Sequence, residues 1–207
     1  MSRRVHIPRR SSDGHPATLL VVDLINPFDY PQAEDLLRHA LPAAERVARL
    51  IGRARGDGVP VVFVNDNFGR WRSSFEETRD RCTDGPGGDI VALLDSRPTD
   101  YHVLKPHRSG FYATPLELLL QELGTTAVVL AGVTTDMCVL STAHDATLRK
   151  LDVTVVADGC AAMTEERHRM ALELLQVAYG VAVADTEDEH LFETDGRGGQ
   201  TTRKLLT

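Results

Sequence analysis

A carboxylate, an ammonium and a thiol together can run covalent hydrolysis, and in this chain each follows an apolar, β-branched run. Asp23 closes TLLVVD (18–23), Lys105 closes YHVLK (101–105), and Cys138 lies just past TAVVLAG (126–132). A thiol at a helix N-terminus beside a cation is drawn toward thiolate, the nucleophilic form. The reading that follows has Cys138 ionised at neutral pH with Lys105 as its cation. Asp23 moves a proton to and from the reacting groups. Backbone N–H groups around Thr134–Cys138 supply an oxyanion hole. Taken singly, each residue also has a plain structural reading. Asp23 fits a loop carboxylate, Lys105 a solvated strand end, and Cys138 a small core residue, the commonest place for a free cysteine. The functional reading gains only from the three arriving together.

What would bring them together is a parallel sheet. Six short apolar runs, at 18–23, 59–64, 101–105, 126–132, 152–157 and 181–184, are continuous rather than alternating. That pattern belongs to strands covered on both faces. Helical periodicity fills the gaps at 33–55, with a break expected at Pro42, and at 115–123, 135–150 and 164–179. Thr114, Pro115 and Glu117 read as cap, first helical residue and capping box. Alternating strands and helices give an α/β fold, its sheet sandwiched between helices. In such sheets ligands bind beyond the carboxyl ends of the strands. Strand two delivers Asn65, Asp66 and Asn67 there, and strand five Asp158 and Cys160. Residues 66–100 show no period and read as one long loop, with Phe68 and Trp71 either walling a pocket or pinning the loop.

The 207 residues fit one domain, 17–185, between a basic arm at 1–16 and a polar tail at 186–207. A net charge of −7 with 5% aromatic residues argues against a nucleic-acid partner. No apolar stretch approaches the ~18 residues a membrane span needs. The three cysteines, Cys82, Cys138 and Cys160, form no CxxC pair, so we expect free thiols in a reducing cytoplasm. Dinucleotide (GxGxxG), P-loop and GxSxG motifs are absent. His102 and His107 flank Lys105, and His144 and Asp145 follow Cys138, but packing is the simpler account of both pairs.

The segments DLINPF (23–28), LKPHRSGFYATPLELLL (104–120) and AGVTTDMCVLSTAHDA (131–146) resemble the isochorismatase-like cysteine hydrolases, and the resemblance covers residues 17–185. It implies a three-layer αβα sandwich with a six-stranded parallel sheet. It also implies a triad of Asp23, Lys105 and Cys138, with Thr134 and Cys138 forming the oxyanion hole. A cis peptide is expected at Val133–Thr134, and a homo-oligomer, dimer or tetramer, in solution. The implied reaction is cleavage of a C–N bond in a small amide or carbamoyl substrate through a thioester. Ether hydrolysis with Cys138 idle, or a non-catalytic binding member, are the alternatives. Two departures stand out: Ile25 and Pro27 replace the Gln and Asp of DMQNDF. The metal-binding DxH of nicotinamidases is Asp66-Asn67-Phe68 here, so no metal and no cofactor is expected. Phe28, Asn65, Asp66, Trp71 and Phe111 are the expected pocket wall.

Overall fold

A computed structural model describes residues 16–193. The basic arm falls outside these residues except for Pro16, and so does the tail from 194 onward. Six parallel strands form one sheet in the order β3-β2-β1-β4-β5-β6. They are β1 (Ala17–Val22), β2 (Val61–Asp66), β3 (Tyr101–Lys105), β4 (Ala127–Val133), β5 (Asp152–Ala161) and β6 (Ala182–Ala184). The helices are α1 (Ala33–Gly56), α2 (Phe75–Thr83), α3 (Gly88–Leu94), α4 (Leu116–Leu123), α5 (Leu140–Leu148) and α6 (Glu165–Tyr179). A single π-helical turn, Thr135–Val139, leads into α5.

Alternation along β1 divides the core. Leu19 and Val21 pack with Leu36, Val47 and Ile51 of α1, Phe75 of α2 and Ile90 of α3. Leu20 and Val22 face the other way, against Leu116 of α4, Val139, Ala143 of α5 and Leu175 of α6. The result is the three-layer αβα sandwich that the apolar runs imply. β1, β2 and β4 are buried on both sides, which is why their sequences do not alternate, while the edge strands β3 and β6 are only partly covered.

Several local expectations need correcting. Pro42 does not break α1, which runs unbroken from Ala33 to Gly56. Pro42 is exposed, while Ala40, Ala43, Ala44 and Val47 are buried on the core face. A proline inside a helix costs about 3 kcal/mol, and here burial on both sides of it outweighs that cost. Residues 66–100 are no continuous loop, because α2 and α3 lie within them. Helix α2 opens with a full capping box, Ser74 Oγ accepting from Glu77 N and Glu77 Oε2 from Ser74 N. Glu117 pairs with Arg149 rather than reaching back to cap α4, while Thr114 Oγ1 accepts from Leu116 N. Cys82 sits buried in α2 and Cys160 buried within β5, neither in a polar loop. The stretch 187–193 is not a polar appendage: Leu191 and Phe192 are buried in the core.

The strand order reverses between β1 and β4, which pair directly, Val22 opposite Gly132. Gly132 adopts φ 137°, and a Cβ there would stand 2.0 Å from Val22 O. Only glycine lets the two backbones come this close. In open α/β sheets this reversal opens a crevice at the carboxyl ends of the strands.

Candidate active site

Asp23 follows β1 directly and takes a left-handed conformation, φ 51°. That geometry is costly for a residue with a Cβ and is characteristic of functional sites. Its carboxylate is almost wholly buried, and both oxygens are engaged. Oδ1 accepts from Asp66 N at 2.7 Å, and Oδ2 lies 2.7 Å from Lys105 Nζ. Lys105 ends β3 and is fully buried. Its ammonium divides among several partners: Asp23, His107 O at 3.1 Å, Cys138 Sγ at 3.5 Å and, more distantly, Asp66 Oδ2 at 3.6 Å. Cys138 lies in the π-helical turn beyond β4 and is partly exposed. The peptide joining Val133 to Thr134 at the start of that turn is cis. So Asp23, Lys105 and Cys138, from three separate strand ends, meet in one cluster.

Burial raises the Asp23 carboxyl above its ordinary value, against the pull of Lys105. Burial alone would lower Lys105, but the carboxylate of Asp23, first by its charge and then by its hydrogen bond, outweighs it with help from Asp66 and lifts the ammonium. The Cys138 thiol is pushed up to about 12, first by burial and then by the charge of Asp23, with Lys105 opposing. This corrects the expectation of a thiolate at neutral pH. The resting thiol holds its proton, because the carboxylate beside it repels a second negative charge in a desolvated place.

The cleft over this cluster measures about 380 Å³. Polar groups from Asp23, Asn26, Tyr30, Asp66, Thr134 and Arg167 line it, with Leu36, Phe68, Val133, Met137 and Met163 between them. A family model described as the isochorismatase domain matches residues 17–188. The chain belongs to the isochorismatase family. It is 31% identical to an uncharacterized isochorismatase family protein, YaaI, of Bacillus subtilis, over 76% of this chain and 87% of that one. It is also 31% identical to the ureidoacrylate amidohydrolase RutB of Methylobacterium radiotolerans, over 80% of this chain and 76% of the relative. Among solved structures, the N-carbamoylsarcosine amidase of Thermoplasma acidophilum superposes with a TM-score of 0.67 at 27% identity. It spans 83% of this chain and 97% of the amidase.

Within this family setting, the expected pocket wall is mostly misplaced. Asp66 lines the cleft, but Phe28, Asn65, Trp71 and Phe111 do not. Phe28 is buried in the α1 layer of the core. Asn65 turns inward, its Nδ2 donating to Ile25 O at 2.5 Å. Trp71 is 80% exposed on the surface. Phe111 packs on the opposite core face, under the Arg149 guanidinium. Asp158 is a structural anchor away from the cleft, accepting from Thr186 N and Oγ1 and pairing with Arg46.

Tyr30, Met137, Met163 and Arg167 were not among the expected wall. The available signal was position: Arg167 lies in the first turn of the helix after β5, at the same sheet edge as Asp23. Among the described residues, no group of three or more His, Cys, Asp or Glu side chains is placed to hold a metal ion. The Phe68 ring lines the cleft two residues after Asp66, and a hydrocarbon ring cannot ligate. The residues present therefore do not fit a metal. Among the described residues, no helix is long and apolar enough to cross a membrane.

Proposed function

We propose that this isochorismatase-family hydrolase is an amidohydrolase that cleaves a C–N bond of a small amide or carbamoyl compound through a thioester on Cys138. The carrying observation is that one ammonium, Lys105 Nζ, touches both Asp23 and Cys138, at 2.7 and 3.5 Å. The amidohydrolases among the relatives support the class of reaction.

Asp23, ionised in the resting state, removes the thiol proton as Cys138 Sγ attacks the carbonyl carbon. Proton transfer coupled to attack suits a thiol too desolvated to ionise alone. Lys105 balances the charge as it passes between carboxylate and sulfur. The N–H groups of Thr134 and Cys138 hold the oxyanion of the tetrahedral intermediate. Asp23 then gives its proton to the departing nitrogen, the C–N bond breaks, and ammonia or an amine leaves. Water, deprotonated by Asp23, attacks the thioester carbonyl. The C–S bond breaks, Asp23 returns its proton to the sulfur, and the acid departs.

The test is an ammonia-release screen over small amides, ureas and carbamoyl acids, with mass spectrometry of the protein quenched during turnover. An acyl adduct on Cys138 is expected. Release of an enol-derived ketone from a vinyl ether, with no adduct and undiminished by Cys138→Ala, would replace this reading with ether hydrolysis. We further propose that the working form is a homo-oligomer. Met170, Leu174 and Val177 expose apolar side chains along α6, which supports self-association. A single-chain mass by light scattering at micromolar concentration would remove that part.

A further inference from the structure

Resting on the amidohydrolase reading, we infer that Thr142 is a positioning residue: through the loop after β3 it fixes the carbonyl that orients the Lys105 ammonium between Asp23 and Cys138. An ammonium carries three N–H donors and no acceptor. The nearest partners of Lys105 Nζ are Asp23 Oδ2 at 2.7 Å, His107 O at 3.1 Å and Cys138 Sγ at 3.5 Å. Asp23 and Cys138 change charge during the reaction, and the carbonyl does not. His107 O is therefore the fixed point against which the other two donors are aimed.

His107 itself is exposed, so its carbonyl is held from further along the loop. Ser109 and Gly110 are buried, and both are tied to α5. Gly110 N donates to Thr142 Oγ1 at 2.9 Å, and Ser109 Oγ donates to Asp145 Oδ2. The Ser109 hydroxyl in turn accepts from Phe111 N at 3.1 Å. Thr142 is fully buried. A Cβ on Gly110 would stand 2.8 Å from Val64 Cγ1 and 3.3 Å from Thr142 Cγ2, so the loop is closely fitted at this point. Arg149, at the end of α5, pairs with Asp145 at 3.5 Å and lies over the Phe111 ring at 4.5 Å.

Thr142 stands one turn after Cys138, in the helix that continues the nucleophile's turn. The contact thus joins the loop that orients the cation to the helix that follows the thiol. Sheet topology shows why such a tie is needed. Asp23 and Cys138 leave the neighbouring strands β1 and β4, but Lys105 arrives from β3 at the sheet edge, which pairs with neither. Strand pairing sets the acid against the thiol; the cross-tie to α5 sets the cation against both.

The test uses Thr142→Val, which keeps the shape and removes the acceptor, and Thr142→Ser, which keeps the hydroxyl. On the best amide of the screen, Thr142→Val should lower kcat by about 10–100-fold in the folded protein, with KM changed by less than about threefold. Thr142→Ser should recover kcat to within about threefold of native. The pH profile separates positioning from simple stability. Among the groups facing Asp23, which also include Cys138, Asp66 and Tyr30, Lys105 supplies the charge that lowers its carboxyl. A displaced ammonium lowers it less, so the acidic limb of kcat/KM should move to higher pH in Thr142→Val and not in Thr142→Ser. Native kcat in folded Thr142→Val, equal losses in both variants, or an unmoved acidic limb would overturn the inference.

If the native protein releases ammonia from no amide, the amidohydrolase reading fails and iodoacetamide labelling of the Cys138 peptide at about pH 9 decides the positioning role. Lys105 also lowers the Cys138 thiol. Thr142→Val should then label several-fold more slowly than native and Thr142→Ser at the native rate; equal labelling of all three would overturn the inference.

Discussion

Strand β3 has an ion pair at each end, one half-buried and one buried, and the two differ in kind. Before its first residue, Asp100 is gripped by Arg55 from the end of α1, Nη2 to Oδ2 at 2.6 Å and Nε to Oδ1 at 3.3 Å. Asp100 Oδ2 also accepts from Arg97 N, and Arg55 Nη2 donates to Asp95 O. At its last residue, Lys105 meets Asp23 but shares its ammonium with Cys138 and His107 O. The planar guanidinium satisfies both oxygens of one carboxylate and closes the set. The ammonium, a point charge with rotatable donors, connects several partners without saturating any of them. One end of β3 is a strut; the other can let a proton move. Both ends pair one cation with a carboxylate, so charge does not identify the chemistry. What separates them is the thiol and a cleft open above it.

The sharpest test of that contrast is Cys138→Ala. Ammonia release should fall by about 10⁴-fold or more while the circular dichroism stays native. Cys138→Ser should be nearly as inactive. Cys82→Ala and Cys160→Ala should keep their turnover, since both thiols are buried in the core. Near-native release by Cys138→Ala would reduce the lower end of β3 to a second strut.

Next come the two cations. Lys105→Met should abolish turnover and also cost about 3–5 kcal/mol in urea unfolding, because Asp23 is left buried without a partner. Arg55→Met should carry a stability loss of the same order with native-like kcat in the folded fraction. Equal loss of kcat in both variants would erase the distinction between the two ends.

The pH dependence separates them more finely. Ionised Asp23 is needed to take the thiol proton, so kcat/KM should fall as pH drops through its raised value. Cys138 keeps its proton in the folded state up to about 12, whereas an unfolded cysteine loses it at about 8.5. Between those limits the native state holds more protons, so stability should decline as pH rises across that window. Cys138→Ala should remove its own share of the decline and leave that of Cys82 and Cys160, whose thiols burial also raises. At pH 7, iodoacetamide should label Cys138 no faster than a free thiol; rapid labelling would restore the thiolate reading. The smallest effect belongs to the rim of the strut. Asp95 is 64% exposed and faces Arg55 and Arg97, and Asp95→Ala should change stability by less than about 1 kcal/mol.

The central strands were legible because a strand covered on both faces is written as a continuous apolar run, and the shorter edge strands β3 and β6 keep enough apolar residues to show as runs too. For the same reason the chemical cluster was legible, since Asp23, Lys105 and Cys138 stand where those runs stop. The cleft wall was not. Trp71 looks like a pocket aromatic in sequence and lies on the surface, whereas Arg167 looks like one more surface charge and faces the cleft. Which way a rim side chain turns depends on partners distant in sequence, here Asp136 for Arg167 and Ile25 for Asn65. Helices α2 and α3 escaped because they are short; their signals, such as the Ser74–Glu77 box, are local and carry no long period. The thiol's protonation was misjudged because helix position and a nearby cation are visible in sequence, while desolvation is not.

The close approach at Gly132 has a bearing on how this scaffold can be altered. Asp23 and the turn bearing Cys138 leave the sheet from adjacent strands whose backbones nearly touch, Val22 against Gly132. Their separation is thus gauged by main-chain geometry, as two parts machined from one block keep their spacing. The segment from 67 to 100 and the start of α6 attach outside that block. Rim segments can accordingly be exchanged between relatives to change what enters, and the alignment of acid, cation and sulfur should survive the graft.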